Sequence, residues 1–203
     1  MKIKCFYSFI ILVLIYSCNN LSSPDKNISR ADSSKSMPEN YRNPKNYLTD
    51  CKLLYLEAAK MDSILFQQTE MNIATGKSAI KAFTDYAYYC PNDSLTTVFL
   101  IKTAQIATSM NNVPQAKTAL DKCITSYPKS KDITVAMFLL ARLYDEQAYL
   151  NNEEEARRLY QEIIDKYPKC AEAESAKGAI RFIGKSDEEM MKEIKKQNKK
   201  KSK

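Results

Sequence analysis

From Asn46 onward the apolar positions follow a helical period, and the pattern recurs along the chain. The period and its interruptions predict helices over about 45–70, 76–89, 94–110, 113–127, 132–149, 152–167, 170–183 and 186–199. Three similar breaks separate them: Tyr89-Cys90-Pro91, Tyr127-Pro128 and Tyr167-Pro168, with the prolines 37 and 40 residues apart. Counting back from each proline gives one register. Twelve residues before stand Ala79, Ala116 and Ala156; eight before, Phe83, Leu120 and Tyr160; five before, Tyr86, Cys123 and Ile163. An all-α fold built of recurring helix pairs is the reading.

A small residue such as Ala104 or Ala141 lets two antiparallel helices approach closely, and a large facing residue fills the groove beside it. Proline cannot continue a helix, so it fixes the turn into the next pair. Each pair is amphipathic and cannot bury its apolar face alone, so pairs must stack. Capping residues agree with the boundaries. Asn111 or Asn112 can cap a helix with Pro114 near its start. Asn152 can cap one whose first turn is Glu153-Glu154-Glu155, where acids suit the helix dipole. The long first helix lacks a clear small residue at the crossing, which suggests a divergent end pair. The register Ala, then a large apolar residue, then a core residue, then Pro resembles the second helix of a tetratricopeptide repeat. The resemblance implies a helical-hairpin solenoid of about three repeats, closed by C-terminal capping helices.

The stretch ahead of the periodic body is of another kind. Lys2 and Lys4 precede an apolar run from Phe6 to Tyr16, too short to span a bilayer but suited to an export signal over residues 1–17. It ends Ile15-Tyr16-Ser17-Cys18, which resembles a bacterial lipobox. That resemblance implies cleavage before Cys18 and a lipid on its thiol and amine, enough acyl chain for stable anchoring. Asn19 and Asn20 come next; under that resemblance the lack of an Asp at the first position implies the outer membrane, and the lack of an acidic run after the Cys implies its periplasmic leaflet. Residues 18–44 are rich in Ser and hold Pro24, Pro38 and Pro44. They read as a lipidated cysteine and a flexible tether that holds the body roughly 30 Å from the membrane. The repeat domain is then 45–184, with a C-terminal helix and lysine-rich tail over 185–203.

Charge is concentrated at the ends. The chain carries 31 Lys+Arg against 24 Asp+Glu, a net +7. Lys2 and Lys4 account for +2, and residues 185–203 hold eight lysines against Asp187, Glu188, Glu189 and Glu193 for +4, which leaves +1 for residues 18–184. A nucleic-acid binder needs a basic face on its folded domain, so nucleic acid is not an expected partner. The sequence has no His, which removes Ser-His-Asp and Cys-His catalysis and every His-ligated metal site. Three glycines, Gly76, Gly178 and Gly184, leave no phosphate-cradling loop. No enzyme activity, no cofactor, no metal and no small-molecule substrate are expected. Cys51, Cys90, Cys123 and Cys170 are spaced by 39, 33 and 47 residues. Most are expected to be reduced and packed as small apolar residues, and no pairing can be assigned from the spacing.

Residues 62–197 as a whole resemble a family of small tetratricopeptide lipoproteins of Gram-negative bacteria. More distantly they resemble the lipoprotein of the outer-membrane β-barrel assembly machinery and the periplasmic repeat protein that coordinates constriction with peptidoglycan synthesis. These resemblances imply a non-catalytic scaffold for envelope proteins or peptides, with outer-membrane protein assembly as its first role. The alternatives are coordination of peptidoglycan synthesis and division, or binding of wall polymer or anionic lipid through the basic tail. First helices of such repeats line the concave face. Their exposed positions fall at Val98, Ile101, Gln105 and Thr108 in one repeat and at Val135, Phe138, Arg142 and Asp145 in the next. Phe138 beside Arg142 suits a peptide hot spot, unless Phe138 packs on a neighbouring helix.

Overall fold

The computed structural model describes residues 50–70 and 72–201, and the described residues are helical with no strand. The signal, Cys18, the tether and the first residues expected in the leading helix lie outside them. In chain order the helices are α1 (Cys51–Gln67), α2 (Ile73–Tyr89), α3 (Thr96–Ser109), α4 (Val113–Ser126), α5 (Ile133–Asp145), α6 (Glu153–Lys166), α7 (Ala171–Ile180) and α8 (Asp187–Lys201). Among the described residues, no helix is long and apolar enough to cross a membrane. The helices fall into two compact units, one ending at Met110 and the other beginning at Asn111.

In the first unit, the Asp50 carboxylate accepts from the backbone N–H groups of Lys52 and Leu53 and starts α1. Leu54, Ala58, Met61 and Leu65 then form its buried stripe. Ala58 is the small residue that the sequence pattern did not single out, and it is fully buried. Asn72 caps α2 by accepting from Ala74 and Thr75, so α2 starts three residues before its predicted 76. The core of the unit is aromatic. The Phe83 and Phe99 rings stack at 5.2 Å, and Tyr86 meets Phe99 edge-on at 4.8 Å. Burial, with Asp93 beside it, pushes the Tyr86 phenol above its ordinary pKa. Cys51 and Cys90 are joined by a disulfide, with Cα atoms 5.8 Å apart. This corrects the expectation that most cysteines are reduced, since only Cys123 and Cys170 are free among the described cysteines.

In the second unit the buried stripes are Ala116, Ala119, Leu120 and Cys123 on α4, and Ala136, Met137, Leu140 and Ala141 on α5. Ala156, Leu159, Tyr160 and Ile163 continue them on α6, with Ala173 and Ala176 on α7. Ile133, Met137, Ile163 and Ala173 meet in one cluster. Asn112, one of the two candidates, and Asn152, as expected, cap α4 and α6 through Gln115 and Glu155 N–H. Each comes after an asparagine held at positive φ, Asn111 at 58° and Asn151 at 47°. Helix α5 stops at Asp145, not 149, because the chain turns back on itself: Leu150 N–H reaches Leu143 O, and Asn152 N–H reaches Tyr144 O at 2.7 Å.

The three breaks share one geometry. Cys90, Tyr127 and Tyr167 have ψ of 51° and φ between −120° and −131°. Each donates its N–H to the carbonyl four residues back, on Tyr86, Cys123 and Ile163. Those are the core positions five residues ahead of each proline, so one turn both closes the helix and fixes the register.

Candidate functional site

The face of α3 is set by residues one turn apart. Val98, Gln105 and Thr108 lie half-buried on it. The Thr108 hydroxyl donates to Ala104 O at 2.8 Å, so its polarity is partly satisfied within the helix. Ile101 departs from expectation: it is buried, at 4 % exposure. The reason is that α3 is apolar around most of its circumference and also buries Phe99, Leu100 and Ile106. A helix of that composition has no open apolar stripe at Ile101.

What stands beside Val98 and Gln105 was not legible from the spacing. Lys102, on the same side of α3, reaches Asp62 of α1 at 2.7 Å, with both side chains partly in solvent. Tyr55 of α1, a further partly open residue, faces the Tyr86 and Phe99 rings at 6.4 and 6.5 Å. Tyr55 and Asp62 are seven residues apart, two turns along one face. The first helices of this unit thus present a phenol, an ion pair, a valine and an amide. The available signal was the Tyr55–Asp62 spacing, but their partners on α3, Phe99 and Lys102, lie about 40 residues away.

On α5, in the second unit, Val135, Phe138, Arg142 and Asp145 are all half-buried and share one stripe. Phe138 is partly spent inside the unit. Its ring lies 5.5 Å from Tyr160 of α6, and it packs against the Ile133–Met137–Ile163–Ala173 cluster. The Tyr160 hydroxyl donates to Asp145 at 3.4 Å. Burial raises the Asp145 carboxyl above its ordinary pKa; the Tyr160 hydrogen bond and Arg142 oppose the shift, and Glu146 and Glu153 add to it. Burial, with Asp145 close by, likewise pushes the Tyr160 phenol up. Two further features were missed. Lys117 of α4 stands 5.8 Å from the centre of the Tyr144 ring and pairs with Asp121 at 2.6 Å. The Thr134 hydroxyl donates to the buried Glu172 carboxylate of α7 at 3.0 Å.

The two thiols free among the described residues both have raised pKa values. Burial pushes Cys123 up to about 12, and Asp132 adds to the shift. The Cys170 thiol is also raised, chiefly by burial, and its Sγ accepts from Ala173 N–H at the start of α7. The α5 stripe offers an aromatic edge, a cation and a carboxylate at half-buried depth.

A family model of the tetratricopeptide repeat matches residues 100–130 and 135–169. The chain contains tetratricopeptide repeats. The matched segments hold the Tyr127-Pro128 and Tyr167-Pro168 breaks, and α2 closes with the same cap geometry outside them. Comparison with curated proteins and with solved structures gave no match. Tetratricopeptide repeats are in general non-catalytic modules that bind other proteins or peptides. The α3 and α5 faces are the first-helix faces of the two matched repeats.

Proposed function

We propose that this protein is a lipid-anchored scaffold of the outer membrane, facing the periplasm, that binds envelope proteins through its repeats. The observation that carries the binding reading is the α5 stripe of Val135, Phe138, Arg142 and Asp145, half-buried and of mixed chemistry on the first helix of a matched repeat. Three features support the address. Residues 1–17 have the build of an export signal, and Cys18 stands where a lipobox places the acylated residue. The Cys51–Cys90 disulfide suits an oxidising compartment such as the periplasm. The domain division goes with it: signal 1–17, lipidated Cys18 and tether to 44, repeats from 45 to 184, then the C-terminal helix and tail. Outer-membrane protein assembly is the first process to test, with coordination of wall synthesis and division as the second.

A photo-crosslinking residue at Val135 or Arg142, in living cells, is expected to give a discrete adduct with an envelope protein. The same residue at Arg157, exposed on α6, is expected to give none. The identity of the adduct chooses between the two processes. Equal adducts from all three positions, or no adduct from the α5 positions, would remove the binding face. Cys18→Ser is expected to move the chain from the membrane fraction to the soluble one and to abolish acyl mass on the mature N-terminus. A mature chain that keeps residues 1–17 would remove the address.

A further inference from the structure

Helix α8 combines features that packing within the chain does not use. Ser186 and Glu189 form a capping box: the Glu189 carboxylate accepts from Ser186 N–H at 2.9 Å and from its hydroxyl at 3.0 Å. Lys185 pairs with Glu193, and Lys192 with Glu188 at 2.7 Å. These local bonds hold the helix, and among the described residues no other helix is packed closely along it. Met190, Met191 and Ile194 lie within about a third of its circumference, given 100° per residue. Met191 is 53 % exposed and Ile194 41 %. Lys192, Lys195 and Lys196 stand exposed on the rest of the surface. From Lys192 to the end the sequence holds seven lysines and one acid, Glu193.

We infer that α8 is an interfacial helix that lies on an anionic bilayer surface, with Met191 and Ile194 entering the headgroup boundary and its lysines over lipid phosphates. A capped, lysine-rich helix with a narrow apolar face matches what in-plane membrane helices present. The charge is complementary to anionic lipid, and each lysine near such a surface adds to the attraction. A wall polymer could engage the lysines but would leave Met191 and Ile194 in water. This surface is independent of Cys18, so its failure would leave the anchoring proposal standing.

The chain has no tryptophan, so a single introduced one reports without background. In full-length protein carrying Cys18→Ser, Met191→Trp is expected to shift its emission to the blue with phosphatidylglycerol vesicles and not with phosphatidylcholine vesicles. Added salt should reverse the shift. Phe66→Trp, at a still more open position of the first unit, should not respond. That control separates α8 from any contribution of the apolar N-terminal run. Replacing Lys192, Lys195 and Lys196 with Gln should raise the anionic lipid needed for half-binding by about tenfold or more. It should leave the melting of the repeats unchanged. An equal shift with both vesicle types, or none with either, would overturn the proposal. So would lysine-dependent sedimentation with cell-wall sacculi or capture of an acidic protein without any lipid response.

Discussion

Asp145 shows how a single residue can be placed by its neighbours. It ends α5, one turn after Arg142, and takes a hydrogen bond from Tyr160 on α6. Its carboxyl is nonetheless held above the ordinary value, because burial outweighs those two contacts. The folded state thus binds a proton more readily than the unfolded chain. The penalty of burying the charge is absent below the unfolded pKa, grows as pH rises through the window between the two values, and is constant above it. Asp145→Asn should therefore raise stability at neutral pH relative to its effect in acid, flattening the acid-side profile of stability against pH. Denaturant titrations of both proteins across that range measure it, and parallel profiles would assign the penalty to another group. The asparagines at 111 and 151 illustrate the opposite case. Their left-handed backbone is a local choice, available to Asn at small cost, and each sets up the capping Asn next to it.

Between residue and molecule stands the helix, and here small side chains decide the spacing. Ala141 is fully buried on α5, and Ala156 is fully buried on α6, which packs against it. A leucine at either place has no room without moving a helix. Ala141→Leu should cost about 1–3 kcal/mol, the usual range for overpacking a filled core. Thermal or urea unfolding of the variant tests this, and a neutral effect would mean that the α5–α6 contact has slack enough to admit the larger side chain. The capping and charge pattern of α6 was readable because each partner is near in sequence. Glu153, Glu154 and Glu155 occupy its first turn, and Arg158 bridges Glu155 and Glu162 within one helical face. Such exposed pairs add only tenths of a kcal/mol each. The helix is held mainly by Leu159, Tyr160 and Ile163.

At the scale of the whole chain, the two units are held by different means. The second has an all-noncovalent core around Ile163, while the first has its aromatic core and a disulfide that spans 39 residues of sequence. Closing a loop of that size removes unfolded-state entropy worth about 4 kcal/mol in the chain-entropy estimate. Reduction, or Cys51→Ser, should lower the stability of the first unit by up to about that amount. Amide hydrogen exchange with and without reductant should show the loss in α1 and α2, around Leu54, Phe83 and Tyr86. Unchanged protection there would mean that the bond is not formed in solution. The same bond suits the proposed address, since it persists where thiols are not kept reduced.

Periodicity and punctuation by themselves determined the all-helical class, the three equivalent breaks, a cap at Asn152 and one at Asn111 or Asn112. These depend on residues within about one turn of each other, so order along the chain is enough. Tertiary structure alone decided that Cys51 finds Cys90, that Lys102 finds Asp62 and that Thr134 finds Glu172, partners 38 to 40 residues apart. It also decided that Ile101 is buried and that Phe138 leans on Tyr160. The physical reason is common to all five. A helical period says which face a residue occupies, whereas its neighbours depend on which helix is laid beside that face, at what height and how closely.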